Sequence, residues 1–124
     1  MKYTWLDAYL LAKPGIEKDY KAEWGWDRYR LHEKLVAAVC TPDEKHGIYG
    51  GRPLVNLKGD PAIAEILRKT YPDILPGFYC DKRNWNAVFL DGAVPEEVLR
   101  EMLDEAYRLI LEKLPKKVRQ ELTK

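Results

Sequence analysis

Proline and glycine cut this chain into short pieces, and that punctuation limits what it can become. Breaks fall at Pro14-Gly15, Gly25, Pro53, Asp60-Pro61, Pro72, Asp91-Gly92, Pro95 and Pro115. Proline cannot donate a backbone hydrogen bond and disfavours helix in the residue before it, so each such break ends an element. Long coiled coils and collagen-like repeats are therefore excluded. No apolar run approaches the roughly 20 residues that a membrane-spanning helix needs.

The pieces between breaks carry different periods. Leu6 and Leu10 lie one helical turn apart, with Thr4 and Asp7 as a short-armed capping pair, and the helix stops at Pro14. Alternation of Tyr20, Ala22 and Trp24 with Lys21 and Glu23 predicts a strand over 19–24. Residues 28–40 predict a hairpin that turns near His32-Glu33-Lys34. Residues 41–53 hold Pro42, Asp43, Gly50-Gly51 and Pro53 and predict a mobile loop. A short strand, Leu54 to Lys58, follows. Asp60-Pro61 then supplies an N-cap with proline in the first turn, opening a helix whose buried stripe is Ile63, Ile66 and Leu67. Residues 72–77 are expected to be irregular. A strand with Trp85, Ala87 and Phe89 on one face precedes the longest helix, which starts near Pro95 and carries Val98, Met102, Ala106, Leu109 and Ile110 on its apolar side. A short helix or turn over 116–122 closes the chain.

Hairpins rather than repeated crossovers give an antiparallel sheet with helices packed on one face, the α+β class. The 124 residues suit one domain over 1–124. Two cysteines, Cys40 and Cys80, make no disulfide framework, and Met1-Lys2-Tyr3-Thr4-Trp5-Leu6-Asp7 lacks a signal-peptide core, so a cytoplasmic setting is expected.

If helices cover one sheet face, alternation assigns side chains to the other. With Tyr29, Leu31, Val55, Leu57, Trp85, Ala87 and Phe89 inward, the outward set is Arg28, Arg30, His32, Leu54, Asn56, Lys58, Asn84 and Asn86, with Lys82 and Arg83 at the strand's entry. That face is basic and rich in amides. Cations neutralise phosphates, and asparagine amides hydrogen-bond base edges or phosphate oxygens. The candidate nucleic-acid-binding set is thus Arg28, Arg30, Asn56, Lys58, Lys82, Arg83, Asn84 and Asn86. Lysine plus arginine total 21 against 20 acids, a net charge of +1, so any affinity for a polyanion must come from a local patch. Acids at the start of the last long helix and bases beyond its end complement the helix dipole and call for no ligand. Of the four tryptophans, Trp26 beside Gly25 is the one expected to be exposed.

Metal and nucleophile signals are thin. His32, Cys40, His46 and Cys80 have no structural-zinc spacing, Cys80 has no nearby histidine in sequence, and Gly47 to Pro53 lacks the GxxxxGK pattern. The expectation is a protein without cofactor, metal or catalytic residues.

Residues 14–114 resemble the MmcQ/YjbR family of small bacterial proteins. The resemblance rests on Val55-Asn56-Leu57-Lys58, Asp60-Pro61, Tyr71-Pro72, Pro76-Gly77-Phe78 and Lys82-Arg83-Asn84-Trp85-Asn86, with Leu114 in the final helix and Pro14-Gly15-Ile16-Glu17-Lys18-Asp19-Tyr20 at the opening. It implies a compact α+β fold related to the frataxin (CyaY-like) fold and DNA binding. Two positions that often hold histidine in the family are Tyr79 and Asn84 here, so an imidazole-dependent role does not carry over. A protein-interaction or small-ligand module is the alternative. Frataxin-like metal binding is less favoured, because the first helix offers only Asp7.

Overall fold

The computed structural model describes residues 3–122. After α1 (Leu6–Leu11) the chain runs through an antiparallel meander of β1 (Ile16–Lys21), β2 (Trp26–Leu31) and β3 (Lys34–Cys40). The β2–β3 turn is only His32-Glu33, and both residues take positive φ (49° and 70°), as a tight two-residue hairpin demands. Then come β4 (Leu54–Lys58), α2 (Pro61–Thr70), β5 (Ile74–Pro76), β6 (Trp85–Phe89), α3 (Glu96–Glu112) and α4 (Lys116–Leu122). The described residues form a six-stranded sheet ordered β1-β2-β3-β4-β6-β5, every neighbouring pair antiparallel. This is the expected α+β architecture.

The helices share one face. On α3, Leu99, Met102, Leu103, Ala106 and Ile110 recur at helical spacing and bury against Leu31, Val55, Leu57 and Val88. Asp60 caps α2 as its sequence implies, accepting hydrogen bonds from the backbone N–H groups of Ala62 and Ile63 at 3.1 and 3.2 Å. The stripe of α2 is displaced, however. Ala64 is buried, while Ile63 and Ile66 are exposed, because a short helix at the sheet margin turns only one narrow edge inward. At α1 the Thr4–Asp7 capping pair does not form. The N-cap is Trp5, without a side-chain cap, and Asp7 accepts instead from Lys18 Nζ and Tyr29 Oη, both at 2.7 Å.

The opposite face departs from expectation most. It is covered, not open. Trp26, Ala38, Cys40, Leu54, Phe78, Ala87 and Phe89 form a second buried cluster, with Leu35, Tyr49, Leu75 and Cys80 packed on it. Residues 41–53 include 3-10 turns spanning Glu44–Tyr49, kinked at His46 and Gly47. They are tied down where Tyr49 Oη donates to the Pro76 carbonyl at 2.7 Å. The register Leu57↔Asn86 and Val55↔Val88 puts Asn86 and Val88 on the helix side and Trp85, Ala87 and Phe89 on the other. Alternation assigned β6 to the wrong face because both of its faces are buried and apolar.

Other boundaries also move. The expected strand over 19–24 is displaced to β1, leaving Trp24 in the turn before β2, and the irregular stretch over 72–77 contains β5. The tryptophans are exchanged as well: Trp26 is 5% exposed inside the second cluster, and Trp24 is 56% exposed.

Candidate functional site

Asn56 organises the covered face. It sits mid-strand in β4, 0% exposed, and grips one residue of the β5–β6 loop with both ends of its amide. Its Nδ2 donates to the Phe78 carbonyl at 3.1 Å and its Oδ1 accepts from the Phe78 N–H at 2.8 Å. A buried amide needs such partners, since an unsatisfied polar group costs about 1–3 kcal/mol. The clamp holds Phe78 inward. The next residue, Tyr79, takes φ 53° and stands 75% exposed. A bulky residue in the left-handed region is strained, and such strain persists only where surrounding bonds enforce it.

Beside this loop lies a cleft of about 700 Å³ between the β1–β2 turn, the end of β3 and the 3-10 turns. Trp24 and Tyr79 stand at its rim, and Trp26 and Phe78 lie deeper. His46 meets Phe78 and Tyr79 edge-on, with ring centroids 5.1 and 5.5 Å away. Trp24 meets Trp26 edge-on at 5.3 Å. Glu23, Asp43 and Lys45 add charge to the lining. Cys40 and Cys80 also line the cleft, and burial pushes their thiols up to about 12 and about 11, so both are protonated and unreactive near neutrality. A smaller cleft of about 210 Å³ between α2 and α3 is mainly apolar, bounded by Ile63, Leu67, Val98 and Met102. Among the described residues no group of three or more His, Cys, Asp or Glu side chains could hold a metal ion.

The structure divides the expected site residues into two classes. Arg28 and Arg30 do share the non-helical face, but Asp19 of β1 neutralises them. Arg28 makes a two-pronged pair with it at 2.7 and 2.8 Å, and Arg30 adds a contact at 3.1 Å. The Arg28 hydrogen bond above all holds the Asp19 carboxyl below its ordinary value. Asn56 and Asn86, expected outward, are buried and internally bonded. Asn86, 2% exposed, accepts from Arg68 Nη1 at 2.7 Å and donates to the Ala64 carbonyl at 3.2 Å, fixing α2. Asn84 is half-buried and donates to Asp81 at 2.7 Å.

The second class gathers at one end of the sheet. Lys58 pairs with Trp85 across β4 and β6, its ammonium 5.9 Å from the ring, and Gly59 N–H donates to the Asn84 carbonyl at 2.8 Å. Arg83 is the residue just before this contact in the chain, and its side chain is exposed. Lys82 reaches back to the Gly77 carbonyl at 3.1 Å and lies 5.8 Å from the Tyr49 ring. Lys113, at the end of α3, adds a like charge. Burial first, and then this neighbouring ammonium, hold Lys58 below its ordinary value, with Asp81 offsetting part of the effect. Sequence reasoning missed Lys113, which lies far from Lys58 along the chain, and also missed the cleft. Adjacent Phe78-Tyr79 behind Pro76-Gly77 was the available signal for the cleft, since consecutive aromatics cannot both face a core.

The YjbR family profile matches residues 11–109, most of the fold just described and every site residue named above except Lys113. The chain belongs to the YjbR family. It is 31% identical over 111 residues to the Escherichia coli (strain K12) protein YjbR, spanning 90% of this chain and 88% of that one. It is 32% identical over 117 residues to YyaQ of Bacillus subtilis (strain 168), spanning 81% and 98%. Among solved structures, Deinococcus radiodurans protein DR2400, with its DUF419 domain, superposes with a TM-score of 0.80 at 27% identity, covering 95% of this chain and 85% of that one. A Pseudomonas syringae protein shares the fold with a TM-score of 0.74 at 24% identity, covering 88% and 98%. Among the described residues of this YjbR-family chain no helix is long and apolar enough to cross a membrane.

Proposed function

We propose that this YjbR-family protein binds nucleic acid without catalysing a reaction, meeting phosphates at the end of the sheet where Lys58, Lys82, Arg83 and Lys113 gather. The observation that carries the reading is the Lys58–Lys113 juxtaposition. Two ammonium groups are brought together, and among the described residues neither they nor Lys82 and Arg83 have a carboxylate at ion-pair distance. Ammonium and guanidinium groups left without an ion pair at the surface remain available to phosphate oxygens. With an overall charge of +1, a local cluster of this kind supplies the attraction that the whole molecule does not.

Arg28 and Arg30 drop from the contact set in this reading, since Asp19 already meets them. Asn56, Asn84 and Asn86 support the loop and α2 and do not read bases. The second reading, a small-ligand module, is favoured by the cleft beside Phe78 and Tyr79. Frataxin-like metal binding has less to recommend it, because Asp7 is engaged by Lys18 and Tyr29.

The test is a titration of labelled duplex DNA, single-stranded DNA and RNA at two salt concentrations. Each phosphate contact contributes about 0.9 to the log–log salt slope on duplex and about 0.7 on single strands. Lys82→Ala/Arg83→Ala should lower the duplex slope by up to roughly 1.8 while leaving thermal unfolding intact. No salt-dependent affinity in the parent protein for any of the three would refute the reading.

A further inference from the structure

We propose that the cleft between Trp24 and Tyr79 takes one unpaired nucleobase of a bound strand, stacked on an exposed aromatic face. This rests on the nucleic-acid reading and specifies it: the preferred ligand is single-stranded.

The first argument is exposure. Trp24 and Tyr79 are 56% and 75% exposed and line the same cleft, whose volume of about 700 Å³ lies within the ~300–1,000 Å³ typical of small-ligand sites. Large aromatics left in water gain by being covered, and a planar ring covers them best. The second argument is preparation. Tyr79 is held outward at φ 53° by the two-ended Asn56 clamp on Phe78, and His46 braces it edge-on at 5.5 Å. A side chain fixed in this way loses little freedom when a ligand stacks on it.

Charge at the cleft is balanced. Lys21, 5.3 Å from the Trp24 ring, is paired to Glu23 at 2.8 Å; Arg28, 5.8 Å from it, is met by Asp19; and Asp43 and Lys45 offset each other in the lining. A neutral planar ring therefore suits the cleft, and the continuity of the loop says what carries it. The loop that presents Tyr79 to the cleft carries Lys82 and Arg83 three and four residues later. A strand can thus set a base in the cleft and its phosphates beside those cations. A base offers its face only when unpaired and unstacked, so duplex is disfavoured.

The experiment measures anisotropy of labelled oligonucleotides of equal length: oligo-dT, the same backbone without bases, and a duplex, with thymidine monophosphate as competitor. Stacking of one base is worth about 5- to 150-fold in affinity. The base-bearing strand should bind tighter than the abasic strand by a factor in that range, and tighter than duplex. Trp24→Leu/Tyr79→Leu should erase the advantage over the abasic strand without changing the salt slope. Equal binding of dT and abasic strands by the parent protein overturns the inference and leaves the phosphate reading standing. So does full retention of the advantage in the folded double variant. Competition by the monophosphate as strong as by the strand overturns the strand as the ligand and favours a free nucleotide. No binding by any strand removes the nucleic-acid reading and this inference with it.

Discussion

Replacing Asn56 with alanine isolates the device on which the cleft depends. The change removes a donor 3.1 Å from the Phe78 carbonyl and an acceptor 2.8 Å from the Phe78 N–H, inside a strand with no solvent access. Two net hydrogen bonds at about 1 kcal/mol each set a floor of about 2 kcal/mol. If both backbone groups of Phe78 stay dry and unpaired, the cost rises toward about 6 kcal/mol. An intermediate loss of about 4 kcal/mol corresponds to a midpoint lower by roughly 15 °C for a domain of this size. Thermal unfolding followed by circular dichroism reads this directly. Asn84→Ala is the matched control, since its amide serves only exposed Asp81, and it should stay within about 0.5 kcal/mol of the parent. The reasoning fails if Asn56→Ala costs less than about 2 kcal/mol, for then the clamp is not what holds Phe78 and Tyr79.

Two further outcomes follow from other contacts. The Lys18 hydrogen bond, then that of Tyr29, holds Asp7 below its ordinary value, and Arg52 does the same for Asp91. Carboxyls with depressed folded values stabilise the protein fully above their unfolded value of about 3.9, and lose that contribution as pH falls through the folded values. Urea midpoints should therefore hold from neutrality down to about pH 5 and fall below about pH 4, less steeply in Asp7→Asn; parallel acid limbs would count against the assignment. Gly77→Ala would place a Cβ 2.7 Å from the Trp85 Cβ and 3.1 Å from that of Cys80, and overpacking of this kind costs about 1–3 kcal/mol. An unchanged denaturant midpoint would show that the loop has room to give.

What the sequence made legible was local. Leu54 to Lys58, the Asp60-Pro61 helix start and most of the α3 stripe (Met102, Ala106 and Ile110, with Leu99 and Leu103 buried in place of Val98 and Leu109) each carry their signal within a few residues. The faces of the inner strands did not. Leu54-Val55-Asn56-Leu57 and Trp85-Asn86-Ala87-Val88-Phe89-Leu90 are nearly continuous apolar runs, the pattern of strands covered on both sides. In such a run an asparagine is better read as a buried amide with a fixed partner than as a solvent-facing reader of bases. Cations show the same limit. Arg28 and Arg30 look free in sequence, and only the β1–β2 register brings Asp19 against them. Lys58 and Lys113 look unrelated, and only packing of the α3 end against the sheet brings them together.

The two margins of the sheet bear on how anything else can approach this protein. Outermost β1 carries Glu17, Lys18, Asp19 and Lys21, so a strand laid alongside it would have to accommodate a dense row of alternating charge. At the other margin β5 is three residues long and ends in Pro76, which has no N–H to offer. Both borders discourage sheet extension, whether by a peptide adding a strand or by copies of the chain stacking edge to edge at high concentration. Recognition is thereby directed to the faces and the loop end, and the same two borders guard the protein against amyloid-like growth.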